Sequence, residues 1–152
     1  MKSRHLILAA LLFLYACSAG WQLQVFDPAA QQTHELKPSD VAHKKLVINY
    51  WAEWCKPCLQ EIPQLDQFAA SHRDTVLVLA MNFDHLKEDA LHTAIQKADI
   101  TYPSLITDPS TVFTLPEISG LPTTLILDDQ GKVIQVLTGA QTQQSLEAAL
   151  KL

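Results

Sequence analysis

The stretch Tyr50–Pro63, reading Tyr-Trp-Ala-Glu-Trp-Cys-Lys-Pro-Cys-Leu-Gln-Glu-Ile-Pro, constrains this chain more than any other. Ahead of it, Leu46-Val47-Ile48-Asn49-Tyr50-Trp51 is an apolar, partly β-branched run of strand length. Behind it, Leu59, Ile62, Leu65 and Phe68 recur every three residues, the stripe expected of a helix packed on a sheet. The two cysteines therefore fall where a strand ends and a helix begins. Backbone N–H groups in a helix's first turn lack intrahelical partners and carry partial positive charge, so they stabilise a thiolate. Cys55 is expected to titrate below a free cysteine and to attack disulfides at neutral pH. Cys58, about one turn on, points the same way and can close a ring with Cys55, releasing a bound partner. Pro57 suits the first turn, where a missing N–H costs nothing.

A Cys-x-x-Cys pair is also half of a zinc site, but structural zinc takes four ligands. The chain has three cysteines and no second such pair. His5, His34, His43, His72, His85 and His92 are scattered without ligand spacing. Redox chemistry is the expectation, with no metal site and no cofactor, because the sulfurs themselves carry the electrons.

Trp51-Ala52-Glu53-Trp54-Cys55-Lys56-Pro57-Cys58 resembles the thioredoxin active-site signature. Glu61 and Pro63, and then Gly120-Leu121-Pro122-Thr123-Thr124 and Asp128-Asp129-Gln130-Gly131-Lys132, are similar to the TlpA/ResA-like branch of membrane-tethered bacterial envelope thioredoxins. The resemblance covers roughly Trp21 to Leu152. It implies an α/β thioredoxin fold: a central mixed β-sheet flanked by helices, with an N-terminal hairpin and a central helical insertion. It further implies that Pro122 is cis and lies against the cysteine pair, although a turn proline is the plain local reading. Leu121 then offers backbone groups to a partner's extended chain, in the manner of strand addition. Trp54, Lys56, Pro57, Leu121 and Thr123 form the expected docking surface, and Cys55, Cys58, Glu61 and Pro122 the catalytic set.

Asn49 departs from the thioredoxin pattern, in which a buried aspartate at this strand position handles the second cysteine's proton. An amide cannot act as that base. Glu61, three residues past Cys58 on the same helix face, is the substitute that the branch implies. A solvated helix glutamate is the competing reading. Pro63 cannot bond back to Leu59 and is expected to kink the helix.

At the N-terminus, Lys2, Arg4 and His5 precede an apolar run, Leu6 to Leu14, too short for a comfortable membrane span. Leu14-Tyr15-Ala16-Cys17 resembles a bacterial lipobox, with Tyr15 bulkier than the residue usual there, so residues 1–17 read as an export segment acylated at Cys17. Cleavage after Ala19 and an uncleaved anchor stay open as alternatives. All three place a single domain, 18–152, on the periplasmic side of the cell envelope. The chain has 152 residues, with 11 basic and 16 acidic side chains; loss of residues 1–16 removes Lys2 and Arg4 and leaves a net charge of −7. An acidic domain without a basic cluster is a poor partner for nucleic acid. With no spare cysteine for a structural disulfide, the fold must stand on its core.

Elsewhere, Trp21–Phe26 and 31–36 read as a strand pair. Residues 39–41 read as a helical turn, and Thr75–Asn82 as a strand buried on both faces. Leu86–Ala98 is expected to be a helix burying Leu91, Ala94, Ile95 and Ala98. Thr111–Leu115 is expected to be a short helix ended by Pro116. His85 and His92 are expected in solvent, since neither has a readable partner. Thr124–Leu127 and Val133–Leu137 form a hairpin with the second strand at the edge, and Thr142 caps a last helix.

The expected activity is thiol–disulfide exchange in the envelope, reducing disulfides of exported proteins, with apocytochrome cysteines as one substrate class the resemblance implies. The partners are those proteins and a membrane electron donor, and the domain is expected to be a monomer. A disulfide donor, a copper-handling dithiol protein and a thiol peroxidase are the rival readings.

Overall fold

The computed structural model describes residues 20–152; Cys17 and the rest of the export segment lie outside the described residues. Seven strands form one mixed sheet in the order β2-β1-β5-β4-β3-β6-β7. They are β1 (Leu23–Asp27), β2 (Gln32–Leu36), β3 (Lys45–Trp51), β4 (Val76–Asn82), β5 (Ser104–Leu105), β6 (Thr123–Leu127) and β7 (Val133–Thr138). Three helices, α1 (Lys56–His72), α2 (Glu88–Ala98) and α3 (Gln143–Leu150), punctuate them.

The centre is β3, parallel to β4 on one side and antiparallel to β6 on the other. Parallel neighbours need a crossover, and α1 supplies it between β3 and β4. The hairpin β1–β2 joins the sheet through β5, while β7 closes the opposite edge.

Strand alternation sorts β3 between two cores. Val47 and Trp51 pack on one face with Ile62, Leu65 and Phe68 of α1, Leu91 and Ile95 of α2, and Leu146 and Leu150 of α3. Leu46, Ile48 and Tyr50 pack on the other with Leu36, Val41, Leu79, Leu125 and Phe113. The strand pair, the helical turn at Pro38–Val41, the helix after β4 and the Thr142 cap on Ser145 all form where the sequence places them. α1 continues through Pro63.

Three expectations are corrected, the third only for His92. Thr111–Leu115 is no helix: a single 3₁₀ turn, Pro109–Thr111, is closed by Asp108, whose carboxylate accepts from Ser110 N–H at 2.8 Å. Five residues rich in β-branched side chains cannot nucleate a stable helix, and Phe113 instead packs edge-on to Trp21 with centroids 5.0 Å apart.

Leu59 is exposed at 38%. A strict three-residue spacing drifts about 60° per step on a helix of 3.6 residues per turn. Leu59 therefore lies half a turn away from Phe68, and the buried face runs through Cys58, Glu61, Ile62, Leu65 and Phe68.

His85 is exposed, as expected, and His92 is half-buried. His85 Nδ1 stands 3.7 Å from Asp108 Oδ2. The His92 ring stacks on Phe26, with centroids 3.9 Å apart.

No helix among the described residues is long and apolar enough to cross a membrane. The burial pattern of α1 predicts unequal costs for its two large apolar side chains. Phe68→Ala should lower unfolding stability by about 3–5 kcal/mol, and Leu59→Ala should change it by no more than about 0.5 kcal/mol. Urea titration of both variants reads the difference.

Candidate active site

β3 delivers the chain to the C-terminal end of this central strand at Trp51, and a short turn, with Cys55 N–H bonded to Ala52 C=O, reverses it into α1. Cys55 is the N-cap of that helix, and Lys56 and Pro57 occupy its exposed first turn. Cys55 and Cys58 are joined as a disulfide with Cα atoms 5.3 Å apart. The Cys58 N–H points at Cys55 Sγ, 3.3 Å away. An orphan amide of the helix's first turn is thus aimed at the Cys55 sulfur, an arrangement that would stabilise a thiolate there. Cys58 is fully buried behind it.

Glu61, one turn further along α1, is only 2% exposed. It is not a solvated helix glutamate. Its Oε1 accepts from Asn49 Nδ2 at 2.7 Å, and its Oε2 accepts from the Gln141 backbone N–H at 2.6 Å. Burial pushes its pKa above the ordinary glutamate value, and the Gln141 and Asn49 hydrogen bonds pull part of the way back. Asn49 also donates to Thr124 Oγ1 at 3.1 Å, across the β3–β6 pair in which the two residues face each other.

The Leu121–Pro122 bond is cis. Pro122 is buried and Leu121 half-buried, and Leu121 packs against both cores. Thr123 is largely buried, with its hydroxyl donating to Gly120 C=O at 2.8 Å. That hydroxyl braces the proline loop from inside and leaves little of Thr123 for a partner to touch. Trp54 is 66% exposed beside Cys55. Its Nε1–H donates to Asp84 at 2.9 Å and its ring stands edge-on to Phe83. The indole is therefore both solvent-facing and fixed in direction.

Thr124, Gln141 and Tyr102 are the residues that sequence reading missed, and Asn49, read there only as an amide that cannot act as a base, proves to be a hydrogen-bond donor to Glu61. The Tyr102 phenol is buried in the core that holds Cys58 and has no hydrogen-bond partner among the described residues. Burial, with Asp66 and Glu61 nearby, holds it well above the ordinary tyrosine value. Gln141 acts through its backbone and leaves no side-chain signal. Among the described residues, no group of three His, Cys, Asp or Glu side chains is placed to hold a metal ion.

Comparison with known proteins agrees with this geometry. The family model described as Redoxin matches residues 19–150. The thioredoxin-like protein YneN of Bacillus subtilis (strain 168) is 33% identical over 115 residues, 74% of this chain and 67% of that one. The thiol-disulfide oxidoreductase ResA of Geobacillus kaustophilus (strain HTA426) is 31% identical over 119 residues, 78% of this chain and 68% of that one. The crystal structure of StoA from Bacillus subtilis superposes with a TM-score of 0.63 at 20% identity, covering 86% of this chain and 95% of that chain.

A glutamate whose folded pKa is raised binds more protons when folded than when unfolded across the interval between the two values. Stability then falls as pH rises through that interval. Urea unfolding of the oxidised protein should show it losing stability relative to Glu61→Gln as pH rises from the ordinary glutamate range. A pH-independent difference would contradict the raised pKa.

Proposed function

This chain belongs to the Redoxin family, and we propose that Cys55, Cys58, Glu61 and Pro122 are its catalytic set. The protein is a TlpA/ResA-like thiol:disulfide oxidoreductase with a thioredoxin fold. The observation that supports the assignment of roles is the Cys55–Cys58 disulfide at the head of α1, with the buried Glu61 one turn behind it.

In the reduced protein, Cys55 thiolate attacks a partner disulfide. One S–S bond breaks, a mixed disulfide forms on Cys55, and the first partner sulfur leaves and takes a proton. Glu61 carboxylate then accepts the Cys58 thiol proton as Cys58 Sγ attacks Cys55 Sγ. The intramolecular disulfide forms and the second partner sulfur departs. Glu61 passes its proton on, so the cycle consumes two electrons and two protons per partner disulfide. Trp54, Lys56, Pro57 and Leu121 border the sulfur, and Pro122 and Thr123 hold the loop that presents Leu121. An extended partner segment beside the cis-proline loop can pair with the Leu121 backbone.

Two opposing effects set the direction of transfer. The α1 N-terminus and Lys56 stabilise a thiolate, and so the reduced pair. The buried carboxylate opposes a second negative charge at Cys58 and favours the disulfide. We assign a net reducing role, acting on disulfides of exported proteins outside the cytoplasm, with apocytochrome c cysteines as one class. The domain is tethered through Cys17, acts as a monomer and is recharged by a membrane electron donor.

Cys58→Ser should trap a disulfide-containing peptide as a covalent adduct that vanishes on reduction, seen by non-reducing electrophoresis and mass spectrometry. Cys55→Ser should trap far less, because its remaining sulfur is buried. Absence of adducts with Cys58→Ser, or equal trapping by both variants, would overturn the assignment of Cys55 as nucleophile.

A further inference from the structure

We infer that Asn49 is a positioning residue for Glu61, its amide braced by Thr124 so that the carboxyl group is held in place by a donor one turn behind Cys58. This rests on the reading of Glu61 as the acceptor of the Cys58 proton. Asn49 lies on the face of β3 that turns toward α1, between Val47 and Trp51, and is fully buried. Both hydrogens of its Nδ2 are used, one on Glu61 Oε1 at 2.7 Å and one on Thr124 Oγ1 at 3.1 Å. Its own Oδ1 has no hydrogen-bond partner among the described residues.

A buried acceptor left unmatched is costly, and an aliphatic residue of similar size would fill this place without it. What the aliphatic residue lacks is the donor. The carboxylate needs one because each of its oxygens faces a single N–H, Asn49 on one side and Gln141 on the other. An aspartate at position 49 would instead bring a second carboxylate against the first, so that the two could not both ionise. An uncharged donor is the side-chain chemistry that supports an ionised glutamate in this core without adding a charge.

The groups around Glu61 leave Asn49 as its adjustable contact. Cys58 shares its helix, Thr124 reaches it through Asn49 from β6, and Gln141 contributes only backbone. The Tyr102 phenol stays neutral across the working range, since its pKa is held well above the ordinary value. Loss of the Asn49 donor therefore moves the Glu61 pKa further upward.

The test is single-turnover release of 5-thio-2-nitrobenzoate from its mixed disulfide on Cys55, the step in which Cys58 attacks, followed against pH. Glu61→Gln should flatten the acid limb of the wild-type profile. If it leaves the profile unchanged, the underlying reading of Glu61 fails and this inference with it. Asn49→Leu should move the acid limb up by about one pH unit, so that release is about tenfold slower on that limb. In the Glu61→Gln background the same substitution should move nothing. A shift of equal size in both backgrounds, or none in the wild-type background, would overturn the inference while leaving Glu61 as the base. Should Asn49→Leu fail to fold, Asn49→Ala serves, since it also removes the donor and adds no titratable group, with an upward shift expected and the same contrary outcomes.

Discussion

Everything at this site depends on one junction, where a central strand runs directly into the first turn of a helix. β3 is held between two neighbours along its length, so Trp51 and the turn after it have a fixed position. Cys55 therefore caps α1 with little freedom, and the Cys58 N–H meets its sulfur at 3.3 Å. The same helix then carries Cys58, Glu61, Ile62, Leu65 and Phe68 into the core. The apolar packing that stabilises α1 is thus also what fixes the Cys55–Cys58 disulfide at the helix head and the carboxyl group of Glu61 inside. Stability and reactivity share a single helix face.

The second half of the site comes from distant chain segments. β6 pairs with β3 and brings the cis Leu121–Pro122 bond to the sheet end that carries Cys55, while Thr124 meets Asn49 across the pair. The connection into α3 brings the Gln141 N–H to Glu61. A carboxyl group so enclosed prefers its neutral form by burial and its charged form by hydrogen bonding. The balance lies above the ordinary glutamate value, the direction expected of a general base under the proposed role.

Much of this was legible in the sequence because the signals are local. An apolar run before Cys-x-x-Cys and a helical period after it place the junction, and Thr142 with Ser145 writes its own cap. What escaped is non-local or geometric. Asn49 and Glu61 are 12 residues apart and Gln141 another 80 away, so no spacing announces their contacts. His85 finds Asp108 only because the β4–α2 turn meets the segment after β5. Leu59 was misplaced because a three-residue repeat, read as one stripe, winds around the helix. Thr111–Leu115 has helical spacing without the length to nucleate, and the burial of Phe113 decided its path instead.

The claim on which the account turns is that a buried carboxylate behind the inner sulfur outweighs the helix terminus and Lys56, leaving a reducing pair. The equilibrium reduction potential of Cys55–Cys58 against a defined thiol–disulfide buffer tests it most directly. A reducing pair gives a value near or below that of thioredoxin, about −270 mV. A value toward the strongly oxidising end, about −120 mV, would make the protein a disulfide donor and contradict it.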